Sequence, residues 1–403
     1  MRPPDVWILF VACVSDGTGT GLHRASLVRR HKRFRESEQA TIRNRSPREG
    51  VTYGHPVRTP ICETLPMRTI IGLVALVAGA LTAMPTAALQ PDPSTMKAVR
   101  IHDFGDASVL KYEDAPKPIP QTGEVLIRVQ AAGVNPVDWK IRDGMMRGRL
   151  KLPAILGYDV SGVIEGFGEG LTAFKQGDEV FAYLSLTTGG GYAQYVCVPS
   201  SDVAKKPAKL DHKHAGVVPL AALTAWQAMF DTAKLQAGQT VLIHGAAGGV
   251  GHFAVQLAHA KGAKVIATAS AENAEFVKGL GADQVIDYKK QKFEEIAKDV
   301  DVVFDMIGGD TLERSYGTLK EGGFLVSIVA PPDQAKLAAR KAKGAVILVK
   351  PDGDQLKEIA KLIDEGKVKP DISAEFELKD IAKAHERSKS GGSGRGKIVL
   401  TVP

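Results

Sequence analysis

Cysteine is scarce in this chain: the 403 residues hold Cys13, Cys62 and Cys197, and only Cys197 lies past Met96. A product that begins beyond Cys62 can form no internal disulfide, and nowhere are there enough thiols for a cysteine-built zinc site. Long apolar runs are also lacking. The longest, Ile70 to Leu81, falls short of the roughly 17 residues a membrane-spanning helix requires. The body lacks an excess of either charge as well. The formal net charge is +7, but Met1 to Arg68 carry 12 Lys/Arg against 6 Asp/Glu, leaving 40 against 39 for the rest. A basic patch for nucleic acid therefore has no support, and no nucleic-acid partner is expected. Internal repeats and low-complexity tracts are missing too.

The start of the chain differs in kind from the remainder. Eleven of its 12 basic residues are Arg, and no clear apolar periodicity organises Asp16 to Pro66. Residues 1–66 thus read as a disordered or untranslated leader. Met67 and Arg68, the apolar run and the small residues Thr86 to Ala88 have the form of a signal peptide over 67–88, followed by a Pro-rich linker over 89–95. Translation from Met67 sends the product to the periplasm or outside the cell, whereas translation from Met96 leaves it in the cytoplasm. No Arg-Arg pair stands just ahead of the run, so the signal for export of a folded, cofactor-loaded protein is missing.

Beyond the linker, short strands separated by Pro- and Gly-rich turns are predicted at Met96–Ile101, 124–132, 159–165, 178–183 and 192–198. From about Ala215 the pattern changes to alternating helices and parallel strands, beginning with a helix over 223–233. The organising stretch is Val241 to Gly251 (VLIHGAAGGVG). Its apolar start reads as a buried strand and its four glycines, Gly245, Gly248, Gly249 and Gly251, as a turn. A helix follows, with Val250, Phe253, Ala254, Leu257 and Ala258 on one face, and Gly262 ends it. Such a turn lets backbone approach a bound group, while the helix start offers unpaired N–H groups to a pyrophosphate. Further strands at 264–268, 301–305 and 323–328, a last one at 346–349 and a helix at 355–365 make this a doubly wound Rossmann sheet. A strand at 396–402 can return to the β-rich part. The boundaries are thus 96–214 with 369–403 for the β domain, and 215–368 for the nucleotide-binding domain.

The type of nucleotide is read at the end of the second strand. Roughly twenty residues past the turn, where a carboxylate would grip the 2′-hydroxyl of NAD, stand Thr268, Ala269 and Ser270. That favours NADP over NAD. Against it, no Arg or Lys lies between Ala269 and Glu275, and Glu272 would repel a phosphate.

Several blocks together, AAGVNPVDWK (131–140), LGYDVSGV (156–163), GGYAQY (190–195), GADQVIDY (281–288) and GKIVL (396–400), carry a resemblance. Over Met96 to Pro403 the chain resembles the zinc-independent quinone oxidoreductase branch of the medium-chain dehydrogenase/reductase superfamily, including the alkenal and enone reductases. The resemblance implies a GroES-like β domain on a Rossmann domain, an active site between them, and a frequent homodimer, for which the strand at 346–349 could extend a sheet across a two-fold axis. Zinc alcohol dehydrogenases are the rival. Where they place a ligating Cys this chain has Asn135, and where they place Gly-His-Glu it has Gly157, Tyr158 and Asp159, so no metal is expected. The implied reaction is hydride transfer from NADPH to a quinone or to the activated C=C of an enal or enone. A non-catalytic NADP(H)-binding sensor is the alternative.

Within that resemblance Lys140 is the proton or hydrogen-bond donor and also touches the cofactor. Asn135 either orients nicotinamide or substrate, or caps the helix beginning at Pro136. The cofactor contacts implied are Thr224, Gly249, Val250, Ser270, Asn273, Tyr288, Ile307, Val329 and Lys397, besides the other turn glycines. Tyr288 packs over adenine or is a core aromatic. Asp138 is expected to pair with Arg142 on a helix surface. His244 and His252 are expected to be structural, and His212 and His214 have no third metal ligand in view.

Overall fold

The computed structural model describes residues 94–170, 173–391 and 394–403. The leader, the apolar run and the expected cleavage site lie outside the described residues. Two large sheets and a small one organise the remainder.

The parallel sheet has six strands in the order Gln284–Asp287, Lys264–Ala269, Thr240–Ile243, Val300–Asp305, Leu319–Ser327 and Lys343–Val346. In chain order this is 3-2-1-4-5-6, so direction reverses between Thr240–Ile243 and Val300–Asp305, the place where open α/β sheets bind ligands. The central strands are continuously apolar because both faces are covered: Val241, Leu242, Ile243, Val303 and Phe304 are wholly buried. The helix Gly251–Ala260 lays Phe253, Ala254, Leu257 and Ala258 on the sheet, the predicted stripe, with Val250 just ahead of its first turn.

The second large sheet is mainly antiparallel. Its path runs Ile372–Glu377, Lys397–Thr401, Glu124–Val134, Asp159–Phe167, Glu179–Tyr183, Val203–Lys205, and Tyr195–Pro199 also pairs with Glu124–Val134. A third sheet joins Leu110–Pro116, Thr95–Ile101 and Ala154–Ile155. The C-terminal strand thus lies second from one edge of this sheet, between Ile372–Glu377 and Glu124–Val134, with Val399 opposite Gly133. A cofactor-side residue such as Lys397 is thereby anchored in the β-rich part, one residue from the strand pairing with Val134.

Among the boundaries that differ from the sequence reading, three have a local cause. The last parallel strand is Lys343–Val346 rather than 346–349, because its neighbour ends at Ser327, which pairs with Val346. The apolar residues after it run past the strand end. Tyr192 lies ahead of the strand Tyr195–Pro199, since Ala193 bridges instead to Ala98 in the small sheet. The helix expected from Leu223 starts at Pro219, a favoured first helical residue, and Asp159 Oδ1 accepts the Leu220 N–H at 2.6 Å. It gives way to a wider helical turn over Gln227–Thr232.

Candidate cofactor cleft and active site

The glycine turn is built so that side chains would obstruct it. Gly245 has φ +69°, and a Cβ there would meet Ile307 Cδ1 at 3.0 Å. A Cβ on Gly251 would collide with the Gly245 carbonyl and lie 2.8 Å from Ala246 Cα, so the helix can approach the strand only at glycine. At Gly248 it would be 3.3 Å from Gly245 O, and at Gly249 3.2 Å from Lys397 Cδ. His252 secures this turn. Its Nδ1 donates to Gly248 O at 3.0 Å and its Nε2 accepts the Asp371 N–H at 3.4 Å, while burial depresses its pKa to about 4 and keeps it neutral. His244, bonded to Thr268 Oγ1 at 3.1 Å and Ser315 Oγ at 3.0 Å, is depressed to about 3 by burial. Both histidines are structural.

Large apolar side chains stand open at the C-terminal ends of the parallel strands. Tyr288 is 56% exposed, Ile307 54% and Val329 37%. A core role for Tyr288 is thereby set aside. Ile307 and the glycine turn border the switch point, with Val329 one strand out on one side and Tyr288 past the edge strand on the other.

Ser270 and Asn273 lie at the end of the second strand, where Ser270 Oγ donates to Glu272 at 2.9 Å and accepts Asn273 Nδ2 at 3.1 Å. Two cations missed by the local sequence window contact the segment that follows. Lys289 Nζ stands 4.0 Å from Glu272 Oε1, and the Arg395 guanidinium, paired with Asp371 at 2.9 and 3.0 Å, lies 4.1 Å over the Phe276 ring, three residues past Asn273. Both come from distant segments; only the position of Lys289 next to Tyr288 was a signal. Thr224 is buried and its Oγ1 donates to Leu220 O at 2.6 Å, leaving the hydroxyl able only to accept.

The polar centre between the two sheets is a triad of buried side chains. Asn135 Nδ2 donates to Asp159 Oδ2 at 2.8 Å, its Oδ1 accepts the Lys397 ammonium, and Lys397 Nζ is 3.4 Å from Asp159 Oδ2. Asn135 is also the N-cap of the helix Pro136–Lys140, in a capping box whose Asp138 accepts the Asn135 N–H at 2.8 Å, while its side-chain amide is engaged by Asp159 and Lys397. The expected Asp138–Arg142 surface pair is also corrected. Both residues are buried; Asp138 takes the Tyr192 hydroxyl, while Arg142 bonds Asp143, Gly105 O and His385. The fold overrides helical spacing because this short helix packs inward. Lys140 is not drawn into the triad. It is exposed at the last turn, its ammonium 5.7 Å from the Trp139 ring, and no carboxylate among the described residues pairs with it.

His212 and His214 are taken up locally, His212 by Ser161 at 2.8 Å and Glu179 at 3.1 Å, His214 by Asp211 at 2.7 Å. No group of three His, Cys, Asp or Glu residues among the described residues could hold a metal ion.

A glycine turn at the switch point of a 3-2-1-4-5-6 sheet, facing a β domain that contributes a buried ammonium, defines a two-domain nucleotide-dependent oxidoreductase. Comparison with known proteins narrows the class. Residues 121–208 match the family described as alcohol dehydrogenase GroES-like domain, and residues 280–400 that described as zinc-binding dehydrogenase. The chain is 34% identical to a quinone oxidoreductase of Homo sapiens over 326 residues, 76% of this chain and 98% of the relative. It is 37% identical to an NADPH-dependent alkenal/one oxidoreductase of Arabidopsis thaliana chloroplasts, covering 77% of this chain and 81% of the relative. The solved quinone oxidoreductase of Coxiella burnetii superposes with a TM-score of 0.71 at 37% identity, over 77% of this chain and all of that one. The chain belongs to the quinone oxidoreductase branch of the medium-chain dehydrogenase/reductase superfamily.

Proposed function

We propose that the protein reduces quinones or the activated C=C of enals and enones with NADPH, without zinc. The observation that carries the reading is the Asn135–Asp159–Lys397 triad beside Gly249. Asn135 and Asp159 occupy the region where zinc relatives place their ligands, and here an ammonium already stands between their oxygens. A divalent cation would meet charge repulsion there. The nicotinamide, when bound, supplies a hydride to an acceptor already polarised by its carbonyl. The chain's own residues do the rest: the glycine turn receives the pyrophosphate, Tyr288, Ile307 and Val329 cover the rings, and Lys397 with Asn135 offers donors beside the turn. Lys140, unpaired and exposed, is the proposed donor to the substrate oxygen as it becomes an enolate or phenolate, with solvent supplying the balancing proton.

NADPH is favoured over NADH by Lys289, whose exposed ammonium is held by Glu272 only at 4.0 Å, close to Ser270, whereas Arg395 is already committed to Asp371. A homodimer is the proposed assembly, through the sheet edge Lys343–Val346 with Leu348 exposed beyond it. Export from Met67 is proposed as well, and N-terminal sequencing of the natural protein tests it. For the activity, purified protein is mixed with NADPH and a panel of quinones and enals. A fall in nicotinamide absorbance with acceptor is expected. NADPH binding with no turnover on any acceptor would mark a nucleotide sensor instead.

A further inference from the structure

Four buried polar side chains from three parts of the chain form a line leading to the triad. Arg142 Nη1 lies 3.3 Å from His385 Nδ1, and His385 Nε2 lies 3.3 Å from the Tyr192 hydroxyl. That hydroxyl bonds Asp138 Oδ2, which also accepts the Asn135 N–H at 2.8 Å. The direction of each bond is forced. A guanidinium only donates, so Nδ1 of His385 accepts, its Nε2 carries the ring proton and donates to Tyr192, and the phenol proton is left for Asp138. Arg142 cannot release a proton, so the line is no proton path. It is a file of donors ending on one carboxylate. Its outer end is held by Asp143, which accepts Arg142 Nη2 at 2.6 Å and Lys389 Nζ at 2.6 Å.

Such an arrangement is costly. Asp138 is wholly buried, and its Oδ1 has no hydrogen-bond partner among the described residues. An apolar residue of similar size would spare that desolvation. What the carboxylate accomplishes is local: it fixes the backbone of Asn135, whose side chain spans Asp159 and Lys397 at the cleft.

We propose that Asp138, whose carboxylate accepts the inner end of the Arg142–His385–Tyr192 file, is a positioning residue that in its ionised form keeps Asn135 aligned with Lys397 for hydride transfer. The inference rests on the function proposed above. The groups facing Asp138 are Tyr192 and Asn135, Asp159 from its strand, Lys397 from the C-terminal strand, Tyr158 and Tyr183, with His385 and Arg142 behind Tyr192. Burial acts most strongly against the charge; the Tyr192 and Asn135 bonds oppose it, Asp159 adds to it and Lys397 opposes it, leaving the pKa raised to about 7. Protonation therefore falls in the neutral range and removes the charge that holds Asn135.

The test compares wild type, Y192F and D138N in the full chain, by pH profiles of kcat/KM and by NADPH fluorescence. Wild-type kcat/KM is expected to rise with pH through neutrality. In Y192F a bond favouring the ionised form is gone, so the limb moves to higher pH by about one unit. In D138N the limb disappears and kcat is low throughout, while NADPH affinity stays within about threefold, since a positioning loss falls mainly on kcat. A purely structural role would lower Tm and leave the limb in place. A folded Y192F whose limb coincides with wild type, or a D138N that keeps the wild-type profile, overturns the inference. Should wild type reduce no acceptor at all, the proposed function fails. The Asp138 carboxyl 13C titration, assigned by difference from D138N, then decides: a midpoint raised in Y192F upholds the file, and an unmoved one refutes it.

Discussion

Lys397 has two acceptors and almost no water. Replacing it by Met leaves the buried Asp159 carboxylate with the Leu220 N–H and Asn135 but no cation. Breaking a buried pair from one side costs about 3–5 kcal/mol. K397M is expected to lower Tm by several degrees and kcat/KM by roughly a hundredfold; an unchanged kcat/KM would remove Lys397 from the site. Lys289 is exposed, so its contribution is smaller. K289A is expected to raise the KM for NADPH about threefold to tenfold and to leave that for NADH unchanged, as paired steady-state assays would show. Asp138 also sets a pH dependence of stability. Its folded pKa is raised, from 3.8 to about 7, so the native state binds the extra proton and stability declines as pH rises across that interval. D138N should flatten that decline in urea melts at several pH values. The ionised form needed for activity is thus the less stable one.

The glycine turn and its helix form the element most legible in the sequence, because tight backbone approach leaves glycine as the only solution. G251A places a methyl against the Gly245 carbonyl and should weaken NADPH binding at least tenfold by fluorescence titration, with the helix pushed from the sheet. Phe253, wholly buried on the same helix, tests packing apart from cofactor: F253A should cost about 3–5 kcal/mol in denaturant melts. The short helix Pro136–Lys140 was legible in position and wrong in orientation. Spacing paired Asp138 with Arg142 across a solvent face, whereas the fold turns both inward and sends them to Tyr192 and His385. Periodicity cannot report facing in so short an element.

For the whole molecule, the C-terminal strand is decisive. By returning to pair with Glu124–Val134 it sets Lys397 against Asn135, 262 residues earlier in the chain. The outer edge at Lys343–Val346, unpaired among the described residues, predicts association. Light scattering should give a dimer mass, and a proline at Val346, whose N–H alternates with the inward-donating Ile347 N–H and so faces the open edge, should shift it toward monomer.

What the sequence determined by itself is what short-range physics dictates: buried parallel strands from apolar runs, the cofactor turn from its glycines, the two-part architecture from the change of periodicity, and the family from its ordered blocks. Tertiary structure alone decided which charges meet. Lys289 reaches Glu272 and Arg395 covers Phe276 at the surface, while Arg142, His385, Tyr192 and Asp138 line up only because separate segments converge in a place with little water, where electrostatic partners are chosen by proximity in space and not along the chain.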